Sequence, residues 1–352
     1  MWIPIEYKKL SLPRFISNMF DSTDFRSVFD RFTNYKVMII GDVMIDTYLW
    51  GNIGRVSPEA PVPIVSGVIE ENRLGGAANV ALNIKALGAV PILCSVIGDD
   101  DRGKLILELM EEQLLSDIGL VVDPHRVTTQ KTRIISGSQH LLRVDEEMDI
   151  FLNKRIQEEF LELVSSLLES GGIDAIIMQD YDKGVLTPRV ISEVISSSER
   201  VNVPVLVDPK FRSFDLYKKV KLFKPNFKEL VRGLDLDISK KEVEKLADAV
   251  HRFQKKQQIE NIIVTLSEQG VLSSVDGEHV HIPAIKREIT DVSGAGDTVI
   301  AVAALCVVAG FSPAEVAAIS NLAGGQVCEK AGVVPINLEK LLDECYEHFK
   351  SS

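Results

Sequence analysis

The sequence predicts an α/β fold: a doubly wound, mostly parallel sheet with a small antiparallel β lid inserted into it. Three observations predict this. Short apolar runs end in polar or Gly/Pro residues, amphipathic stretches lie between them, and two segments lack helical period altogether. Buried apolar strands that alternate with helices make a mostly parallel sheet covered on both faces.

In chain order the strand-like runs are "KVMIIGD", "VPILCSVIGD", "DAIIMQD", "VPVLVDP", "KLFKPN" and "NIIVTLS". The intervening stretches include "GAANVALNIKALG", "RGKLILELMEEQ" and "KKEVEKLADAVHRFQKK", whose apolar residues fall on one helical face. Ligands of such sheets bind beyond the carboxyl ends of the strands, and here those ends carry Asp42, Asp180, Asp208, Asn226 and Ser267. Residues 47–67 and 127–145 break the alternation: the first is rich in β-branched residues, Gly and Pro, and the second reads as two strands around Gly137-Ser138. They predict the lid. Residues 1–35 form an appended N-terminal arm, and residues 36–350 the main domain.

At 352 residues the chain is within reach of one α/β domain with insertions. Lys+Arg number 39 against 51 Asp+Glu, a net charge of −12, which argues against a nucleic-acid partner. Cys94, Cys306, Cys328 and Cys345 are far apart and without a C-x-x-C pair, which reads as reduced thiols of a cytoplasmic protein. No run of about 18 apolar residues predicts a membrane span, and the N-terminus has no signal-peptide apolar region.

"GDDDRGKL" mimics a phosphate loop from Gly98 to Lys104, but Leu105 stands where a magnesium-binding hydroxyl is required. "DVSGAGDT", residues 291–298, is a better anion site. Its glycines let backbone N–H groups approach a ligand, and the apolar helix that follows adds its positive end. Asp297 would repel phosphate, so it is either a cap of that helix or a general base beside an anion hole. Gly75, Gly76 and Asn79 in "GGAAN" suit close approach to a polyol, the plainer alternative being simple helix entry. Asn226 and Glu229 in "KPNFKE" are three apart on one helix face, where a carboxylate acts on phosphate oxygens through magnesium. Thr265, Ser267 and Gly270 end a further strand.

With "GGAAN", "KPNFKE" and "DVSGAGDT" in that order, the chain resembles the ribokinase-like carbohydrate kinases over about residues 36 to 340. The resemblance implies ATP and Mg²⁺ as co-substrate and cofactor, and a homodimer formed through the lid. It implies Asp297 as catalytic base and Gly294, Ala295 and Gly296 as the anion hole. Asn226, Phe227, Lys228 and Glu229 would lie at the ATP–magnesium site, with Thr265, Ser267, Gly270 and Asn321 completing the nucleotide side. "GDVMIDTYLWGNIGRVSPEAPVPIV", "ENRLGGAANVALN", "LLRVD" and "DYDKGVLT" further resemble the kinases of D-glycero-β-D-manno-heptose 7-phosphate in lipopolysaccharide core synthesis. In many of those a nucleotidyltransferase domain follows; its H-x-G-H signature is missing here, and the kinase alone is expected.

A sugar that already carries a phosphate needs cations at its far end, and Arg143, Lys183 and Lys210 are the candidates, with Asp46 for sugar hydroxyls. Against this stands the plain reading of each charge as a solvated surface group. His279 and His281 form H-x-H with no third ligand in sight, so an ordinary strand face is expected. Two rival functions are a kinase of the same fold for another sugar or a nucleoside, and an inactive relative that only binds. The presence of Asp297 and its glycine turn speaks against the second.

Overall fold

The structure, a computed structural model, describes residues 20, 23–137, 139–275 and 277–349. Residues 1–19, 21 and 22 of the expected arm, and Ser138 of the expected lid turn, lie outside the described residues. The chain runs α1 (Phe25–Asp30), β1 (Lys36–Gly41), β2 (Val43–Val56), β3 (Pro63–Gly76), α2 (Ala77–Ala86), β4 (Val90–Gly98) and α3 (Asp101–Glu112). Next come β5 (Gly119–Asp123), β6 (Thr129–Ser136), β7 (Gln139–Glu146), α4 (Lys154–Glu169), β8 (Ala175–Gln179), α5 (Pro188–Val201), β9 (Val205–Asp208) and β10 (Leu222–Phe223). The last part holds α6 (Phe227–Gly233), α7 (Val243–Gln257), β11 (Asn261–Thr265), β12 (Val271–Val275), β13 (Glu278–Ile282), α8 (Ala295–Ala309), α9 (Pro313–Val327) and α10 (Leu338–Phe349).

Nine strands form the main sheet in the order β13-β12-β11-β10-β9-β8-β1-β4-β5. Seven are mutually parallel, and the β12–β13 hairpin adds antiparallel strands at one edge. Residues of β1 alternate between two cores: Val37 and Ile39 join the cluster with α2, α8 and α9, while Met38 and Ile40 join that of α4, α5 and α7. This two-sided burial is why the strand reads as continuously apolar. Helix α8 is buried from Asp297 through Cys306, as a helix apolar on all sides must be.

The lid is a four-stranded sheet in the order β3-β2-β6-β7. Its two hairpins are antiparallel and are joined by one parallel pairing, β2 with β6. The strands reach further into the molecule than the sequence segments suggested: β2 begins at Val43 and β3 ends at Gly76, and their inner residues are buried while their outer halves are exposed. Glycine permits this crossing. A Cβ on Gly75 would come within 2.1 Å of Asp46 Oδ2, and one on Gly76, at φ +60°, within 2.4 Å of the Asp42 carbonyl oxygen.

Residues of the arm that are described pack on the C-terminal end of the domain. Phe20 stacks on Phe349 at 4.6 Å between ring centroids, and Phe25 meets Tyr346 edge to face at 5.5 Å. All four cysteines are free and buried. No described helix is long and apolar enough to cross a membrane.

Candidate active site

The carboxyl ends of β8 to β11 and the N-terminus of α8 open on one cavity of about 780 Å³. Gly294 caps α8 at φ +79°, and no side chain caps that end. Asp297 sits in the first turn, 3 % exposed, at the cavity wall. Its oxygens do not turn back to backbone N–H groups of the helix. Asn79 donates to Oδ2 at 2.7 Å; the Tyr181 hydroxyl and Gln179 Nε2 donate to Oδ1 at 2.7 and 3.2 Å. The cap reading of Asp297 therefore fails, and a carboxylate held by three side chains from distant elements takes its place.

Burial, with Asp208 nearby adding to it, pushes the Asp297 carboxyl up to about 7, against the pull of the Asn79 and Tyr181 hydrogen bonds and the Lys224 ammonium. Burial disfavours the charged form, whereas hydrogen bonds to a carboxylate favour it. A carboxylate poised near neutrality suits a base that takes a hydroxyl proton. Beside it Lys224 and Asp208 form a buried ion pair at 3.0 Å. A Cβ on Gly296 would lie 3.6 Å from both Asp208 Oδ2 and Lys224 Nζ, so the glycine turn runs directly past this pair. The Ala295 N–H reaches back to the Val292 carbonyl at 3.3 Å, leaving Gly296 and Asp297 as the following first-turn amides.

Asn226 caps α6 and forms a capping box with Glu229. The Glu229 N–H donates to Asn226 Oδ1 at 2.9 Å, and Glu229 Oε2 accepts from the Asn226 N–H at 2.8 Å. The second Glu229 oxygen binds Lys210 Nζ. Lys210 also sits over the Tyr181 ring, 5.4 Å from its centroid. Phe227, Lys228, Thr265, Ser267, Gly270 and Asn321 line the same cavity. Asn321 donates to the Pro283 carbonyl at 3.0 Å.

Several sequence expectations change here. Lys210 was expected at the sugar phosphate; the fold seats it on Glu229, in the cavity that Asp297 also lines. Asn79 was expected to meet the sugar; its amide is spent on Asp297. Gly75 and Gly76 answer to the tight crossing of β2 and β3. Asp46 is 4 % exposed and bound to Arg133 Nη1 at 2.5 Å. Lys183 pairs with Glu147 at 2.8 Å, and Arg143 lies opposite Arg133 on the lid, exposed and held by Asp145 at 2.9 and 3.0 Å. His279 and His281 lie on β13, and the second meets the Gln269 carbonyl at 2.8 Å.

Sequence reasoning gave no role to Tyr181, Gln179 or Lys224, although each stands inside or beside a quoted motif. Lys224 opens "KPNFKE" and Tyr181 is the tyrosine of "DYDKGVLT". A polar residue at the end of an apolar run was the available signal, and it named Asp180 and Asp208 but passed over their neighbours.

Lysines and a glycine turn at a helix N-terminus face one cavity, which the carboxylates Asp208, Glu229, Glu268 and Asp297 also line. That set fits a polyphosphate. No cluster of three or more metal-ligating side chains exists among the described residues. A divalent ion that arrives with a polyphosphate, held mainly by phosphate oxygens and water, fits such a lining.

Comparison with known proteins agrees with this geometry. The profile of the pfkB family carbohydrate kinases matches residues 34–340. The chain is 38% identical over 313 residues to bifunctional protein HldE of Pelobacter propionicus, covering 89% of this chain and 63% of that protein. It is 37% identical over 306 residues to bifunctional protein HldE of Helicobacter pylori, covering 87% and 65%. The chain thus spans less than two thirds of the length of these relatives. Among solved structures, phosphofructokinase-2 from Escherichia coli superposes with a TM-score of 0.71 at 16% identity, over 90% of this chain and 99% of that one. Arabidopsis thaliana ribokinase, solved with ribose and ATP, gives 0.66 at 19% identity, over 88% and 98%. At such identities these two speak for the fold.

Proposed function

The chain belongs to the pfkB family of carbohydrate kinases, and from that premise we propose that it uses ATP to phosphorylate the anomeric hydroxyl of D-glycero-D-manno-heptose 7-phosphate. The product is the 1,7-bisphosphate, on the way to ADP-heptose and the lipopolysaccharide core. The observation that carries the reading is the Asp297 carboxylate, buried at the cavity wall beside the glycine turn. Likeness to the HldE proteins over about nine tenths of the chain supports the sugar.

In this reading Asp297 takes the proton of the anomeric hydroxyl as the hydroxyl oxygen bonds to the γ-phosphorus of ATP; the bond from that phosphorus to the bridging oxygen breaks and ADP leaves. The Gly294–Gly296 turn and the N-terminus of α8 then stand where charge gathers on the transferring phosphoryl group. Lys224, neutralised by Asp208 at rest, adds a fixed cation beside that turn. Lys210 and Glu229 hold the nucleotide end of the cavity. Magnesium, when bound with ATP, offsets phosphate charge. Arg143 and Lys183 on and beside the lid are the proposed contacts of the sugar's 7-phosphate, released from Asp145 and Glu147 when substrate arrives. Asp46 is the proposed partner of sugar hydroxyls.

The lid exposes Ile53, Val56, Val68, Ile69, Leu142 and Val144, with Ile69 on one face of its sheet and Leu142 on the other. Exposed apolar residues in that number on the lid strands suit a second copy of the chain, and a lid-mediated dimer belongs to the proposal. ADP release measured across phosphorylated and unphosphorylated heptoses and hexoses tests the sugar. Turnover is expected with heptose 7-phosphate well above the other sugars. Preference for an unphosphorylated sugar would overturn the substrate assignment.

A further inference from the structure

Three hydrogen bonds reach Asp297, and they are unevenly shared. Oδ1 accepts two, from the Tyr181 hydroxyl and Gln179 Nε2, while Oδ2 accepts one, from Asn79. A carboxylate offers about four lone-pair positions. Oδ1 is therefore filled, and the remaining position lies on Oδ2.

Tyr181 is itself fixed at two other points. Its N–H donates to Asp42 Oδ2 at 3.0 Å, and its ring lies beneath Lys210, whose ammonium is bound to Glu229. The phenol is thereby aimed at Oδ1 from a backbone and a ring that are both anchored. We propose that Tyr181 is a positioning residue for the base: its hydroxyl occupies Asp297 Oδ1 and so makes Oδ2 the atom that takes the sugar's proton. This rests on the reading of Asp297 as the base.

The phenol stays a donor, because burial and the Asp297 and Asp208 charges raise the Tyr181 pKa well above its ordinary value. The titratable groups facing Asp297 are Tyr181, Asp208, Lys224 and Lys210. Asn79 and Gln179 complete its surroundings as uncharged donors. Of the two groups that donate to Oδ1, Tyr181 stands closer, at 2.7 against 3.2 Å, and its bond pulls the carboxyl pKa down.

Tyr181→Phe keeps the ring beneath Lys210 and removes only the hydroxyl. With ATP and heptose 7-phosphate, kcat should fall about tenfold to a hundredfold, the worth of a hydrogen bond to a charged group. The acid limb of kcat/KM should move to higher pH, since the lost bond favoured the ionised base, and KM for ATP should change by no more than about twofold. A readout without substrate accompanies it: unfolding free energy from about pH 5 to 9 for wild type, Tyr181→Phe, Asp297→Asn and the double variant. The difference between Tyr181→Phe and wild type should grow with pH, and it should lose that pH dependence in the Asp297→Asn background. An acid limb and a stability difference that both stay unmoved would overturn the role of Tyr181 while leaving the base in place. Normal turnover by Asp297→Asn would instead overturn the base, and the positioning role with it.

Discussion

Asp297 joins two requirements that oppose each other. Its burial favours the neutral carboxyl, and proton abstraction needs the carboxylate. The Asn79 and Tyr181 hydrogen bonds and the Lys224 ammonium bring the balance back to about 7. Asp297→Asn preserves size but cannot accept the proton, and general-base catalysis is worth roughly 10²–10⁴-fold. We expect kcat to fall by that order while ATP still binds, as checked by calorimetric titration of the nucleotide. Arg143→Ala tests the sugar side. Among the described residues the exposed guanidinium has Asp145 as its partner, so little stability is at stake. KM for heptose 7-phosphate should rise roughly tenfold or more, with KM for ATP unmoved. Equal loss for phosphorylated and unphosphorylated sugars would remove Arg143 from phosphate recognition.

At the scale of elements, α6 shows one carboxylate serving two ends. Glu229 closes the capping box with Asn226 and holds Lys210 in the cavity. Glu229→Gln retains an acceptor for the Asn226 N–H and loses the ion pair and the carboxylate. We expect the midpoint of unfolding to change little and the magnesium concentration for half-maximal turnover to rise several-fold. Unchanged turnover across a magnesium titration would exclude a role for Glu229 at the metal. The lid makes a separate prediction. Its inner strand residues are buried in the domain and its outer apolar residues are not. Ile69, 70 % exposed on β3, is the sharpest probe. Light scattering should report a dimer for the wild type and a monomer for Ile69→Asp; a monomeric wild type would sink the lid interface.

For the whole molecule, the buried acid couples the site to stability. The folded Asp297 carboxyl titrates near 7, above its ordinary value of 3.8. Below both values the proton is bound in either state and no cost arises. As pH rises between them the unfolded chain ionises freely while the folded one keeps its proton, so stability falls until pH passes about 7. Asp297→Asn removes this titration. Relative to wild type it should gain on the order of 2 kcal/mol between about pH 5 and 7, at 1.36 kcal/mol per pKa unit. Parallel denaturant titrations of the two proteins at several pH values measure it. A difference flat in pH would show that the folded carboxyl is not raised. With the expected pH dependence, the same residue costs stability and supplies activity, a common relation at active sites.

Strand runs such as "KVMIIGD" and "NIIVTLS", the apolar helix after "DVSGAGDT" and the shared helix face of Asn226 and Glu229 were legible in the sequence, because periodicity and glycine turns act between near neighbours in the chain. The lid was legible as a break in that periodicity, though not its full reach, since burial of Val43 to Tyr48 depends on what covers them. The partners of Asp297 were not legible. Asn79 is 218 residues away and Tyr181 116, and neither spacing carries a local signal. Lys210 and Lys224 looked alike as basic residues past strands, yet one pairs with Glu229 and the other with Asp208. Local chemistry determined which groups stand at strand ends and helix starts. Only the parallel order of β8, β9 and β10, and the helix packed across them, decided which of those groups meet, because that choice is made by burial and register between distant segments.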